Sequence, residues 1–178
     1  MDLSKDGFTF GGRDSAIYYD IKGVGHYELM HWVLPNSNDY FLVLDKNGNG
    51  VVDHGAELFG HGMVLVSSGF FAPNGFSALG QYDRSILGGN EDGYISPHDL
   101  IWKSLLAWND INANGVSEDG EIKSLNDLGI SEIDIIPKVK ETFDEHKNFI
   151  PFWSSALRAD EQGSQVVTVV DVYFKKVV

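Results

Sequence analysis

The stretch VLDKNGNGVVDHGAELFG, residues 43–60, restricts the chain more than any other segment. Asp45, Asn47, Asn49 and Asp53 fall at alternate or near-alternate positions, with Gly48 and Gly50 between them. Alternation alone suggests a strand with its polar side chains turned to water. Asn and Gly are poor strand residues, however, so another constraint must set this spacing. A tightly coiled loop meets it, because oxygen-bearing side chains at every second position then converge on one point.

The pattern recurs downstream. In DINANGVSEDGE, residues 110–121, Asp110, Asn112, Asn114, Gly115 and Glu121 occupy positions 1, 3, 5, 6 and 12 of an EF-hand-type calcium loop. Gly115 permits the sharp turn, and the Val116 carbonyl falls at position 7. Glu118 at position 9 acts directly or through water, and Glu121 closes the shell. In the opening stretch Asp45, Asn47, Asn49, Gly50, the Val51 carbonyl and Asp53 fill positions 1, 3, 5, 6, 7 and 9. Position 12 is Ala56, and the glutamate falls one residue later at Glu57, so the exit of this loop is expected to start late.

A third copy is stretched. In NEDGYISPHD, Asn90, Asp92, Gly93, the Tyr94 carbonyl and Asp99 fill positions 3, 5, 6, 7 and 12. Position 1 would be Gly88, which offers no ligand, so Asp83 is expected to fold back across an insertion. The plainer readings are an Asn/Gly turn, a Glu57 that only caps a helix and an Asp99 that only serves a helix N-terminus. Two degenerate copies open the chain. Asp2, Ser4, Asp6 and Gly7 form the first; the second has Asp20, but Lys22 and Val24 stand where ligands belong. That second copy reads as a lost site whose backbone turn survives.

Charge supports clustering. There are 26 acidic and 13 basic residues, a formal net charge of -13, which disfavours a nucleic-acid backbone or an anionic membrane as partner. Each of the three better loops gathers three carboxylates: Asp45, Asp53 and Glu57; Asp83, Asp92 and Asp99; Asp110, Glu118 and Glu121. Without a cation these would repel one another. With no cysteine, disulfides and thiolate chemistry are excluded. No apolar run reaches transmembrane length. The N-terminus lacks the basic and apolar regions of a signal peptide; export would then use another signal or a removed leader, or the chain stays inside.

The element pattern is α+β in a single domain over 1–178, with the loops inside 39–136 and a C-terminal β segment at 137–178. Strands are expected in AIYYDI, ELMHWVL, DYFLVLD, SEIDII, FIPFWSSAL and SQVVTVVDVYF. AELFG reads as one helical turn, HGMVLVSSGFFAPNG as a loop or loose hairpin, and GFSALGQYD as the start of a helix. The spacing of Leu100, Ile101, Leu105 and Trp108 predicts a helix over 96–110, capped by Ser96 with Pro97 at its first position, and SLNDLGI predicts a short helix.

Together, VLDKNGNGVVDHGAELFG, GFSALGQYD, NEDGYIS and LLAWNDINANGVSEDGEIKSLNDLGI, in this order, resemble the EF-hand-like calcium-binding modules of repeat-in-toxin (RTX) and related secreted bacterial proteins. The resemblance implies EF-hand-like loops, one strand–loop–helix and one helix–loop–helix pair, with flanking antiparallel strands. It also implies an extracellular module loaded with two to three calcium ions, in a structural or protein-binding role. Some relatives process themselves, cutting an Asp–Pro bond when calcium binds. The five prolines here follow Leu34, Ala72, Ser96, Ile136 and Ile150, so this chain holds no such bond.

No enzyme motif stands out: there is no G-x-S-x-G, no H-E-x-x-H and no phosphate-binding Gly-rich loop. His54 and His61 could take a transition metal but read better as surface histidines. Trp32, Trp102, Trp108 and Trp153 read as core or half-buried rather than as a sugar-binding patch. The three methionines, Met1, Met30 and Met63, lie outside the loops, unlike the Met-rich groove of a calcium sensor.

Overall fold

The computed structural model describes the chain apart from Asp53, Glu161 and Gln162 and the side chain of Asp160. Antiparallel strands dominate it. Strands β1 (Ile17–Tyr19) and β2 (Glu28–Met30) form a ribbon, and β3 (Phe41–Leu44) leads into the first loop. The single α-helix among the described residues, α1, spans only Gly75–Gly80. Then come β4 (Tyr94–Ile95), β5 (Leu105–Trp108), β6 (Ile122–Ser124), β7 (Ile130–Asp134), β8 (Lys138–Phe143), β9 (Phe149–Asp160) and β10 (Gly163–Tyr173). One sheet runs β10-β9-β7-β4, with β8 also on β9; another runs β3-β5-β6. No helix among the described residues is long and apolar enough to cross a membrane.

This corrects the expected α+β, EF-hand-like class. No helix–loop–helix pair exists among the described residues, and the loops hang between strands and short 3-10 turns. The expected helix over 96–110 is a 3-10 turn at Leu100–Ser104 followed by β5. Its apolar residues fit a helical and an alternating pattern alike, and pairing decides. Leu105 and Ala107 enter one core cluster, while Leu106 and Trp108 face the other. β5 is the middle strand, bonded to β3 and β6, so the β3-β5-β6 sheet lies between the two clusters. A helix there would forfeit both ladders. Leu100, counted in the helical pattern, is 74% exposed. The expected SLNDLGI helix is a run of turns, and β8 (KVKETF), almost wholly exposed, carried no strand expectation.

The remaining elements follow their sequence. Asn74 caps α1 by accepting from the Ser77 amide at 2.7 Å. Residues 61–75 form a loose hairpin with one bridge between Val64 and Phe71. The long β9–β10 hairpin uses strict alternation, so Val167, Val169 and Asp171 all turn to the buried face of β10. Asp171 thus stands where the pattern calls for an apolar residue.

Its carboxylate accepts from the Gly75 amide at 2.9 Å, and the Tyr173 hydroxyl, which donates to the Pro73 carbonyl at 3.1 Å, lies near it. Gly75 has to be glycine, since a Cβ would meet the Phe59 carbonyl oxygen at 2.5 Å. Burial pushes the Asp171 carboxyl from 3.8 up to about 6, outweighing the lowering by Gly75 and Tyr173. The folded state therefore holds the proton more tightly. That contribution to stability is full below pH 3.8 and is lost as pH rises to about 6, a change of ~3 kcal/mol. Urea unfolding of wild type and Asp171→Asn in one millimolar-calcium buffer should give equal stability near pH 4. The variant should be the more stable by ~3 kcal/mol near pH 7; parallel pH profiles would refute this assignment.

Candidate metal centre

In the loop 110–121 a carboxylate sits at each end, and both are buried. Asp110, fully buried, accepts from the Asn114 amide at 3.1 Å and the Gly115 amide at 2.8 Å. Gly115 has φ +74, a left-handed conformation that favours glycine, and a Cβ there would lie 2.5 Å from Ile17 Cδ1. Glu121 reaches back across the loop, accepting from the Ile111 amide at 2.8 Å and the Glu118 amide at 3.1 Å. The core grips both ends: Trp32 Nε1 donates to Asp110 at 2.7 Å, and Trp108 Nε1 donates to Glu121 at 3.1 Å. Burial pushes the Asp110 carboxyl up. The Trp32, Gly115 and Asn114 bonds oppose that rise, and the Glu121 charge adds to it.

The loop at 45–57 repeats the construction. Asp45 accepts from the amides of Gly48 (2.8 Å), Asn49 (3.2 Å) and Gly50 (2.8 Å). The fully buried Glu57 accepts from the Lys46 amide at 3.2 Å, the counterpart of Ile111 to Glu121. The thirteenth residue therefore does here what the twelfth does in the other loop, as a late exit requires; the exit is a 3-10 turn, Gly55–Glu57. Asp53 lies outside the described residues. The Val52 amide donates to Ser117 Oγ at 2.7 Å, tying the two loops together at matching positions.

In the stretched loop Asp83 does fold back. It accepts from the Asp92 amide at 3.2 Å and the Gly93 amide at 3.0 Å, the fifth and sixth positions. Residues 84–89 bulge out as a 3-10 turn ending at Gly88, φ +86. Asp99 closes the far side by accepting from the Asn90 amide at 3.3 Å and the Ser96 amide at 2.8 Å. Its expected place in a first helical turn is thus replaced by a role inside the loop. Val51, Tyr94 and Val116, whose carbonyls fall at position 7, all turn their side chains outward.

The same aspartate-to-amide geometry appears at the degenerate copies. Asp2 accepts from the Lys5 and Gly7 amides at 2.7 and 3.1 Å. Asp20 accepts from Val24 and Gly25 at 3.2 and 2.6 Å, so its turn does survive. Sequence reasoning missed a further such turn: Asp144 accepts from the His146 and Asn148 amides at 2.9 and 2.8 Å. It also missed the indole clamps, since Trp32 lies 78 residues from Asp110 and no local signal links them. The expected surface histidine His61 is half-buried and stacks on Tyr173 at 5.5 Å.

Asp83, Asp99, Asp110 and Glu121 are all buried, and none forms an ion pair with Lys, Arg or His among the described residues. Buried carboxylates without a counter-charge are costly. Among the described residues no three His, Cys, Asp or Glu side chains close tightly enough on one point to hold a metal. Amide groups stand between them instead. Asn112 and Asn114 donate to Glu118 at 2.9 and 3.3 Å, and Asn90 donates to Asp92 at 2.7 Å. The donor set is all oxygen once these amides turn, and hard oxygen donors suit calcium or magnesium rather than a soft metal.

Residues 1–175 match the SPM domain. The chain belongs to the SPM domain family. It is also similar to the iron-regulated protein FrpA of Neisseria meningitidis serogroup C, at 36% identity over 140 residues. The match covers 78% of this chain and 12% of FrpA, so the chain spans about an eighth of the length of that relative. Neither name mentions calcium.

The fold-back of Asp83 depends on Gly89, where a Cβ would lie 2.1 Å from the Asp83 main chain. In Gly89→Ala the Asp92 and Gly93 amides should exchange with deuterium about tenfold faster, the equivalent of roughly 1.4 kcal/mol, while Gly115 keeps its protection. Unchanged exchange at Asp92 and Gly93 would mean that Asp83 is not their acceptor.

Proposed function

We propose that this chain is a calcium-binding module of a secreted bacterial protein, folded and stabilised by two to three calcium ions, with a structural or protein-binding role. The observation that carries the reading is the set of buried carboxylates at matching loop positions, Asp83, Asp99, Asp110 and Glu121, none of which forms an ion pair with Lys, Arg or His among the described residues. Bound calcium would balance them and accept six to eight oxygens.

The chain's own residues do the rest. Asp45, Asn47, Asn49, the Val51 carbonyl, Asp53 and Glu57 would serve one ion. Asp110, Asn112, Asn114, the Val116 carbonyl, Glu118 and Glu121 would serve another. Asp83, Asn90, Asp92, the Tyr94 carbonyl and Asp99 would serve the third. The glycine amides hold the first aspartate of each loop with its oxygens aimed inward, and Trp32 and Trp108 hold the loop 110–121 against the core. The Asn side chains need only exchange nitrogen for oxygen by rotation.

Extracellular calcium is millimolar, and an acidic chain free of cysteine suits that setting. FrpA, of which the matching stretch is a small part, is consistent with a module within a longer protein. The self-processing alternative requires an Asp–Pro bond beyond these 178 residues.

Binding to the folded state alone contributes about 2.7 kcal/mol per site at a hundredfold excess over Kd. Three sites would contribute ~8 kcal/mol, which for a domain of this size raises Tm by roughly 15–30 °C. Melts in EDTA and in millimolar calcium check this; a shift of a degree or two would refute it. Glu121→Gln should lower the calorimetric stoichiometry by one or weaken one site at least tenfold, and unchanged binding would remove Glu121 from the shell.

A further inference from the structure

Between residues of the two core clusters lies a partly open cavity of about 280 Å³; Gly55 and Leu58, on either side of Glu57, line it, but none of the carboxylates of the three loops does. A dry cavity of about 150 Å³ already houses benzene. This one is roughly twice that size. Its wall includes Phe10, Phe41, Phe59, Phe76 and Phe174, and Asp171 stands among these rings.

We propose that this cavity is a binding site for a small apolar cation, a primary amine carried on an aromatic or aliphatic body, with Asp171 as its counter-charge.

Two independent features select that chemistry. Aromatic faces attract cations and offer apolar surface to the body of the ligand. Asp171, buried and on the inward face of β10, forms no ion pair with Lys, Arg or His among the described residues. The Gly75 amide takes one of the roughly four acceptor positions of a carboxylate, which leaves room for an ammonium. Asp39, the other acidic residue of the lining, accepts from the Thr9 amide at 2.8 Å, and burial raises its pKa. Near Asp171 the wall is closed by His61, stacked flat on Tyr173. Burial, helped by Lys22 and Lys176, lowers the His61 pKa and keeps the ring neutral at pH 7, so it does not repel a cation. Lys176, also lining the cavity, is held by Glu28 at 2.5 Å.

The test uses the full chain in millimolar calcium and three probes of one shape: 2-phenylethylamine, 2-phenylethanol and 3-phenylpropionate. Calorimetry should give one site for the amine, with the acid at least tenfold weaker, a comparison that needs no variant. Asp171→Asn should weaken the amine at least tenfold and leave the alcohol unchanged. Leu79→Trp, which fills the cavity from its wall, should abolish binding of all three. Absence of amine binding at millimolar concentration would overturn the proposal. So would equal affinity for amine and acid, or an amine affinity that Asp171→Asn leaves intact.

Discussion

The bond from the Trp32 indole to Asp110 joins the surface loops to the interior, and much of the molecule is arranged around it. Trp32 is fully buried and packs against Tyr19, Phe41, Trp108 and Phe174. Strands β1, β3 and β5 and the residues after β10 therefore all meet around this indole, which itself follows β2. A charged group enters that apolar cluster only because its oxygens are taken up by N–H donors, and the loop backbone must coil to provide them. Loop conformation and core packing are thus one constraint: neither can form well without the other.

That coupling explains what was legible in the sequence. The loops were legible because the rule is local. Oxygen at alternate positions, with a glycine at the sixth, leaves the first aspartate to collect the glycine amide. Even the displaced Asp83 could be inferred, since Gly88 stands where a ligand belongs and an acid lies five residues upstream. The helix expected over 96–110 failed for the opposite reason. LLAW satisfies both periodicities, and the choice rests on β3 and β6, more than sixty residues before it and about fifteen after it. The indole clamps likewise depend on contacts distant in sequence. Asp171 was open to reading: in VVTVVDVY an acid takes an inward position of a strictly alternating strand.

Replacing helices by strands changes what such loops can do. In a calcium sensor the loop joins two helices, and binding alters the angle between them. Here β3 and β5 are paired over four residues, Phe41 with Trp108 through Leu44 with Leu105, and the loops 45–57 and 110–121 leave from those strands. A strand in a ladder cannot rotate about its neighbour without breaking its bonds, and a slip of one residue turns its buried face outward. The Val52–Ser117 bond adds a second tie between the two loops. With the angles fixed in this way, an ion at the loops has little conformational equilibrium within the folded state to bias. On the proposed reading its binding energy falls instead on the equilibrium between folded and unfolded chain, the behaviour of a ligand that sets a module once rather than one that switches it.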